Sequence, residues 1–360
     1  MLAAADERLR PHAAGSRVHL RPTAPQDAAA LSGFLQRVFH SAPTAMLLDP
    51  RHLAWKYWLD RGDWTEPRSF TARHDEAIVA HVAAWPVHVV LPDRTLRAAH
   101  LFDWASDRRY PGAGLWLIRQ MRSKTDLLIA TGGTELTRRM LPVAGFRPFG
   151  EVCVFARPLR PLAQARAAAD RSWRAAARIV RNSAWRWSLP VAPPPGWDAI
   201  PAQPDGIDAS IWPSASTALA VARRNAAFYS YVLASPRTRY SLFRLTRHGE
   251  PAGYFCISHA RHVARIADIW VASSDSADWC AGVRTACAAA ARSDEVHEVS
   301  GWASTAIAKA AFARAGFRRR DQTPLTLFGN AGVLAGRELH IQMLDCDASF
   351  VAADDVCYLT

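Results

Sequence analysis

A mixed α/β fold built twice is the architecture the sequence predicts: two domains in tandem, each a mostly antiparallel sheet with a central parallel pair flanked by helices. Three observations lead there. Patterns run strand, turn, helix, strand, helix, an order that demands a parallel pairing inside an otherwise antiparallel (α+β mixed) sheet. A set of landmarks occurs twice in the same order. The chain of 360 residues exceeds what one core comfortably organises, and its 50% hydrophobic and 21% charged residues are those of a globular protein.

The repeat is read directly. WKYWL (55–59) is followed by SFTARHDEAIVAHVAAW (69–85), AAHLFDWASD (98–107) and PVAGFR (142–147). Later, FYSYVL (228–233) precedes SLFRLTRHGEPAGYFCIS (241–258), VARIADIWVASSD (263–275) and FARAGFRR (312–319). The offsets are similar: 174 from His74 to His248, 165 from Asp103 to Asp268, 171 from Gly145 to Gly316. Four echoes in one order indicate a duplication. The expected organisation is a tail over 1–16, a first domain over 17–160, a linker over 161–197 and a second domain over 198–360.

In the first copy, Ala28, Leu31, Leu35, Val38 and Phe39 fall at helical spacing after a Thr-Ala-Pro start. The stretch 68–91 alternates and turns at His74-Asp75-Glu76, as a hairpin does. HLFDWAS suits a central strand, GLWLIRQMRSK a helix, DLLIATG a buried strand, and TELTRRMLPVAGF a helix closing at Gly145. Between the copies, Pro161 to Leu189 carries Arg166, Arg171, Arg174, Arg178, Arg181 and Arg186 against Asp170, with Trp173, Trp185 and Trp187 interspersed. Such a helix can lie on an anionic membrane. The more economical reading is a linker helix packing its tryptophans on the domains, with the following prolines as a stiff spacer.

Bulk properties exclude some classes. The net charge of +12 invites nucleic acid, but no recognised nucleic-acid motif accompanies it, and nucleic acid is not expected as a partner. Six cysteines without CxxC spacing read as reduced thiols. The histidines show no ligand spacing with a nearby carboxylate, so no metal is expected. The first residues hold mixed charges and no apolar run, and no window nears ~18 apolar residues. A cytoplasmic protein is expected.

DWASDRRYPGAGLWLIRQM (103–121) is the most informative segment. It places a strand before a tight glycine-bearing turn and a helix directly after. Glycines at 112 and 114 remove Cβ atoms where a backbone must approach a ligand. The helix start offers free amides and a positive dipole end, which suits a pyrophosphate.

Arg109-Tyr110-Pro111-Gly112-Ala113-Gly114 resembles the Q/R-x-x-G-x-G/A hallmark of the GNAT (GCN5-related N-acetyltransferase) superfamily. Trp104-Ala105-Ser106 is similar to the family's strand that hydrogen-bonds the pantetheine arm, and Ala144-Gly145-Phe146 to its later Gly-Phe helix end. The resemblance covers residues 17–158 well and 205–330 by repeat logic. It implies acetyl-CoA or another acyl-CoA as co-substrate, held by Trp104, Ala105, Ser106, Arg109, Tyr110, Gly112, Ala113, Gly114 and Leu115. It also implies direct transfer of the acyl group to an amine of a small molecule or amino sugar, a hydroxyl acceptor remaining open. Two departures stand out. Pro111 removes one amide donor, and the second copy has SSDSADWCAG in place of the turn, so only the first copy is expected to bind the cofactor.

For the base, Asp103 comes first, because a carboxylate on the cofactor strand would reach the amine directly or through water. The alternative makes it a structural acceptor at a sheet irregularity, which its echo in Asp268 supports. His100 comes second, against a hydrogen-bonded core histidine. The family's acidic tyrosine, four residues before the Gly of Gly-Phe, is here Leu141, and Phe312 in the second copy. Tyr110 reads as packing rather than as an acid. Tail acids Asp345, Asp347, Asp354 and Asp355 read as a polar face. Rival readings are a Fem-like aminoacyltransferase, which needs no pyrophosphate turn, and a non-catalytic acyl-CoA sensor or assembly protein.

Overall fold

The computed structural model describes residues 18–167, 172–187, 189–350 and 358–360. The expected tail over 1–16, together with Asp170, Arg171, Asp354, Asp355 and Cys357, lies outside them. The chain forms two compact units, one of Met1–Val89, Arg94–Phe149 and Pro324–Ala335, the other of Val90–Asp93, Gly150–Thr323 and Gly336–Thr360.

Unit 1 begins with β1 (His19–Pro22), α1 (Ala28–Phe39) and α2 (Pro50–Leu53), which continues into a π turn over Ala54–Trp58. Helix α1 seats Leu31 and Leu35 in the core, as its spacing predicts, and adds Phe34, which that spacing did not single out, whereas Phe39 is exposed. The hairpin of β2 (Ser69–His74) and β3 (Ala77–Val90) turns at Asp75, whose φ of 54° places it in the left-handed region. Strand β4 (Thr95–Ser106), helix α3 (Ala113–Met121), strand β5 (Leu127–Thr131) and helix α4 (Glu135–Ala144) follow, α4 ending on left-handed Gly145. The order across the sheet is β1-β2-β3-β4-β5, with β4 and β5 parallel. Ala99, Leu117, Ile118, Leu128 and Phe146 belong to the core beneath it.

Unit 2 repeats the plan. After β6 (Arg147–Pro158), α5 (Pro161–Ala167) and α6 (Trp173–Trp187) come β7 (Trp197–Pro201), β8 (Leu219–Ala222), α7 (Ala226–Leu233), β9 (Arg239–Arg247), β10 (Glu250–His259) and β11 (Val263–Val271). Then come α8 (Ser276–Ala291), β12 (Glu298–Ala303), α9 (Ala306–Arg314), β13 (Arg318–Gly329) and β14 (Glu338–His340). The order is β6-β12-β11-β10-β9-β7, with β11 and β12 parallel and β14 beside β8.

The last strand of each repeat is exchanged. Leu325–Gly329 of β13 pairs with β5, and Cys153–Pro158 of β6 pairs with β12. The compact units therefore divide the sequence differently from contiguous domains over 17–160 and 198–360. Either strand satisfies the open edge of either parallel pair, so the choice leaves no local trace in the sequence.

The linker is two helices rather than one, and only part of it packs as anticipated. Trp185 is buried, while Trp173 and Trp187 are exposed. Five cysteines, 153, 256, 280, 287 and 346, are free thiols. Among the described residues no group of His, Cys, Asp or Glu is placed to hold a metal, and no helix is long and apolar enough to cross a membrane.

Candidate functional site

In unit 1 the parallel pair opens like a fork. Ala98, Ala99 and His100 of β4 face Leu127, Leu128 and Ile129 of β5; the pairing ends there, and β4 runs on to Ser106. The amide of Asp107 still donates to Val79 O (2.9 Å), so β4 keeps β3 on its other side to the end. The backbone of Trp104, Ala105 and Ser106 thus lies on the stretch where β4 has left β5.

At the fork stands Asp103, whose φ of 47° breaks the extended strand. Its Oδ2 accepts from Lys56 Nζ (2.5 Å) and from Tyr57 OH (2.6 Å), both carried by the π turn. His81 Nδ1 lies 2.9 Å from the Asp103 carbonyl, and its Nε2 lies 2.9 Å from Ser69 Oγ. Burial pushes His81 down to about 4, so the ring is neutral. A carbonyl only accepts, so Nδ1 carries the hydrogen and Nε2 accepts a hydrogen bond from the Ser69 hydroxyl. Burial alone would raise the Asp103 carboxyl; the Lys56 ammonium and the Lys56 and Tyr57 hydrogen bonds outweigh it and hold the group below the ordinary carboxylate range. Lys56 is buried and rests over the Tyr57 and Phe102 rings, 4.7 and 5.3 Å from their centroids. His100 is buried too, with Nε2 2.8 Å from Thr131 Oγ1, and burial lowers it to about 3.

Beyond Ser106 the chain turns. Tyr110 N donates to Asp107 O (3.0 Å) and Ala113 N to Tyr110 O (3.2 Å). Gly112 caps α3 with φ 87°, a left-handed conformation that costs a residue with Cβ about 1–2 kcal/mol, and no side chain caps the helix. Trp116 N is the first amide to close a helical bond, to Gly112 O (2.9 Å), which leaves Gly114 and Leu115 N–H without an intrahelical acceptor. Gly114 is required for a second reason: a Cβ there would lie 2.9 Å from Trp104 Nε1, which donates to Gly114 O (3.1 Å). That contact lays α3 directly against the cofactor-strand candidates.

The sequence-derived positions therefore converge on one end of one sheet. Arg109 is exposed and folds back on Asp107 (2.7 Å). Tyr110 packs its ring 5.1 Å from His74 and against the unit 1 core, in keeping with packing rather than proton transfer. Ala113 and Leu115 are buried at the helix start. The cavities lined by Gln164, Asn182 and Thr360 and by Arg239, His259 and Glu295 belong to unit 2 and include none of these residues. Sequence reasoning missed Lys56, Tyr57 and His81. The recurrence of WKYWL as FYSYVL was the available signal, since Tyr57 and Tyr229 are offset by 172, within the range of the other landmarks.

The equivalent place in unit 2 is built differently. Asp268 Oδ2 accepts from Tyr229 OH and Arg224 Nε, both at 2.6 Å, and Arg224 also reaches Asp345 (2.8 Å). Arg224, Asp268 and Asp345 are all buried. Helix α8 starts on Asp275, whose carboxylate accepts from Ala277 N (2.8 Å), and Asp278 stands in its first turn. Its amides already serve the protein's own acid.

No family model and no curated protein sequence matches the chain, whereas solved structures do. A GCN5-related N-acetyltransferase from Anabaena variabilis superposes with TM-score 0.58 at 12% identity, over 89% of this chain and 75% of that one. A tandem GNAT protein from the clavulanic acid biosynthesis pathway gives TM-score 0.53 at 13% identity, over 87% and 98%. Saccharomyces cerevisiae N-myristoyltransferase with bound myristoyl-CoA gives 0.55 at 10%, over 86% and 82%. The fold is that of the GNAT acyltransferases, present twice in tandem.

Proposed function

We propose that this chain is an acyl-CoA-dependent acyltransferase of cytoplasmic setting, which uses unit 1 to pass an acetyl or other short acyl group to an amine of a small molecule or amino sugar. The observation that carries the reading is the uncapped start of α3 at the open end of the fork. There the amides of Gly114 and Leu115, the Cβ-free Gly112 and the Arg109 guanidinium suit a diphosphate. The backbone of Trp104–Ser106 suits the pantetheine amides. That arm brings the thioester to Asp103, and the amide of Trp104 or Ala105 polarises its carbonyl.

The acceptor ammonium first gives one proton to solvent; the free amine nitrogen then attacks the carbonyl carbon, the carbon–sulfur bond breaks, and the thiolate leaves with the electron pair. The amine proton reaches the thiolate through solvent. Asp103 is ionised and held low by Lys56, which makes it a weak proton acceptor. We assign it the role of fixing the strand break and attracting the acceptor ammonium. His100, buried and neutral, supports the fork through Thr131.

A second reading, a non-catalytic acyl-CoA sensor, is favoured by one observation: Leu141 stands where the family's proton-donating tyrosine is expected, and it is buried. Thermal shift with acetyl-CoA, followed by thiol release with polyamines, aminoglycosides and amino sugars, separates the two. An acetyltransferase is stabilised, by about 2.7 kcal/mol at about 100 times Kd, and releases thiol with an acceptor. A sensor is stabilised and releases none. Absence of stabilisation overturns both.

A further inference from the structure

Helix α6 has two faces of opposite character. Its inner face is bound to unit 2: Trp185 Nε1 donates to Gly316 O (2.7 Å), Asn182 Nδ2 to Gln164 Oε1 (3.2 Å) and Arg186 Nε to Leu159 O (3.2 Å). These bonds fix the rotation of the helix. Trp173, Val180 and Trp187 are spaced seven apart and so fall on one line along the opposite side. They are 76%, 71% and 85% exposed, with Ala177 and Ala184 between them. Roughly 21 Å separates the two tryptophans along the axis. One flank of this line holds exposed Arg174, Arg178 and Arg181, and Trp173–Trp187 contains no acid.

An exposed tryptophan at each end of an apolar line is not what a helix facing water alone requires. We propose that the outer face of α6 docks on an anionic phospholipid surface, with Trp173 and Trp187 at headgroup depth and Arg174, Arg178 and Arg181 against lipid phosphates. The helix would lie in the plane of the interface. Charge complementarity selects this occupant. A second copy would bring an equally basic face, and its guanidiniums would repel. Single-stranded nucleic acid is met by several aromatics spaced along one basic groove, whereas here a single ring, Trp173, stands among the arginines, and Val180 and Trp187 continue the apolar line beyond it, as at a lipid interface.

The surroundings add to the positive field. Burial and the neighbouring Arg320, Arg178 and Arg318 all lower Arg181, so four guanidiniums crowd together with no acid among the causes. An open depression of about 310 Å3 lies between Trp173, Arg174, Ala177, Arg178 and Arg181. Its walls offer one ring and three cations to a phosphate headgroup.

The test is sedimentation of the full chain with vesicles of phosphatidylcholine alone or mixed equally with phosphatidylglycerol. The protein is expected to pellet with the anionic vesicles only. Trp173→Ser/Trp187→Ser is expected to abolish pelleting while the melting curve is retained, because neither side chain enters the core. Replacing Arg174, Arg178 and Arg181 by Gln is expected to weaken partition about a hundredfold, each cation near an anionic leaflet contributing about fivefold. Failure to pellet, equal pelleting with neutral vesicles, or pelleting untouched by the double tryptophan variant would overturn the proposal. So would tryptophan-dependent self-association, or tryptophan-dependent capture of an oligo-dT strand in preference to vesicles.

Discussion

The starts of helices α3 and α8 occupy the same place in the two repeats, and they solve the same problem in opposite ways. Each follows a strand that has left its parallel partner, and each starts with amides that have no intrahelical acceptor and with a positive dipole end. In unit 2, Asp275 closes the cap and Asp278 adds a second negative charge in the first turn. In unit 1, Gly112 stands at the cap with no side chain to offer. A helix that caps itself is finished; a helix capped by glycine has amides to give to a ligand. The acid–cation clusters beneath the strands differ in the same sense. Asp268 is sealed with Arg224 and Asp345, while Asp103 has, among the described residues, one paired cation, Lys56, and lies in a left-handed break of the strand.

The largest effect is expected where that cation loses its partner. Asp103→Asn leaves Lys56 buried and unpaired, which costs about 3–5 kcal/mol by the usual penalty for breaking a buried pair. Chemical denaturation reads it. Asp268→Asn should cost clearly less, since Arg224 keeps Asp345; equal losses would erase the distinction. Transfer by the Asp103 variant should slow even at temperatures where it remains folded.

Next comes the cap. Gly112→Asp places in unit 1 the carboxylate that unit 2 already has, and acetyl-CoA affinity should fall about a hundredfold or more as amides are diverted and like charges meet. Gly112→Asn imposes the same left-handed backbone without the charge and should bind better than the Asp variant; calorimetry compares them. Asp275→Ala in unit 2 should cost only the cap, about 1 kcal/mol.

The acid response has a predictable sign. His81, His259 and His340 are lowered to about 4 and His100 to about 3, chiefly by burial. Their folded-state values lie below the unfolded value, so stability is full above about pH 6.5 and declines as pH falls toward about 4. Asp345 runs the other way: burial raises it to about 6, so its ionisation costs stability as pH rises through about 4 to 6. Asp345→Asn should steepen the acid decline in that window, as followed by melting curves at stepped pH. A decline of unchanged slope would contradict the assignment.

Much of this was legible in the sequence, and the gaps have physical causes. The hairpin at Asp75, the α4 cap at Gly145 and the glycine turn before α3 are each set by local backbone chemistry, so local reading finds them. The duplication located Asp103 and Asp268 together. Lys56 was invisible because a lysine among aromatics reads as a surface residue; only the fold shows its ammonium turned inward onto a carboxylate. The exchange of β6 and β13 was equally hidden, since partner choice depends on non-local pairing. The exposure of Trp173 and Trp187 depended on which face of α6 Asn182 and Trp185 fasten down.

Isothermal titration of the full chain with acetyl-CoA tests the comparison between the repeats most directly. The account predicts one cofactor per chain, lost in Gly112→Asp and unchanged in Asp275→Ala. Two cofactors per chain, or undiminished binding by Gly112→Asp, would contradict it.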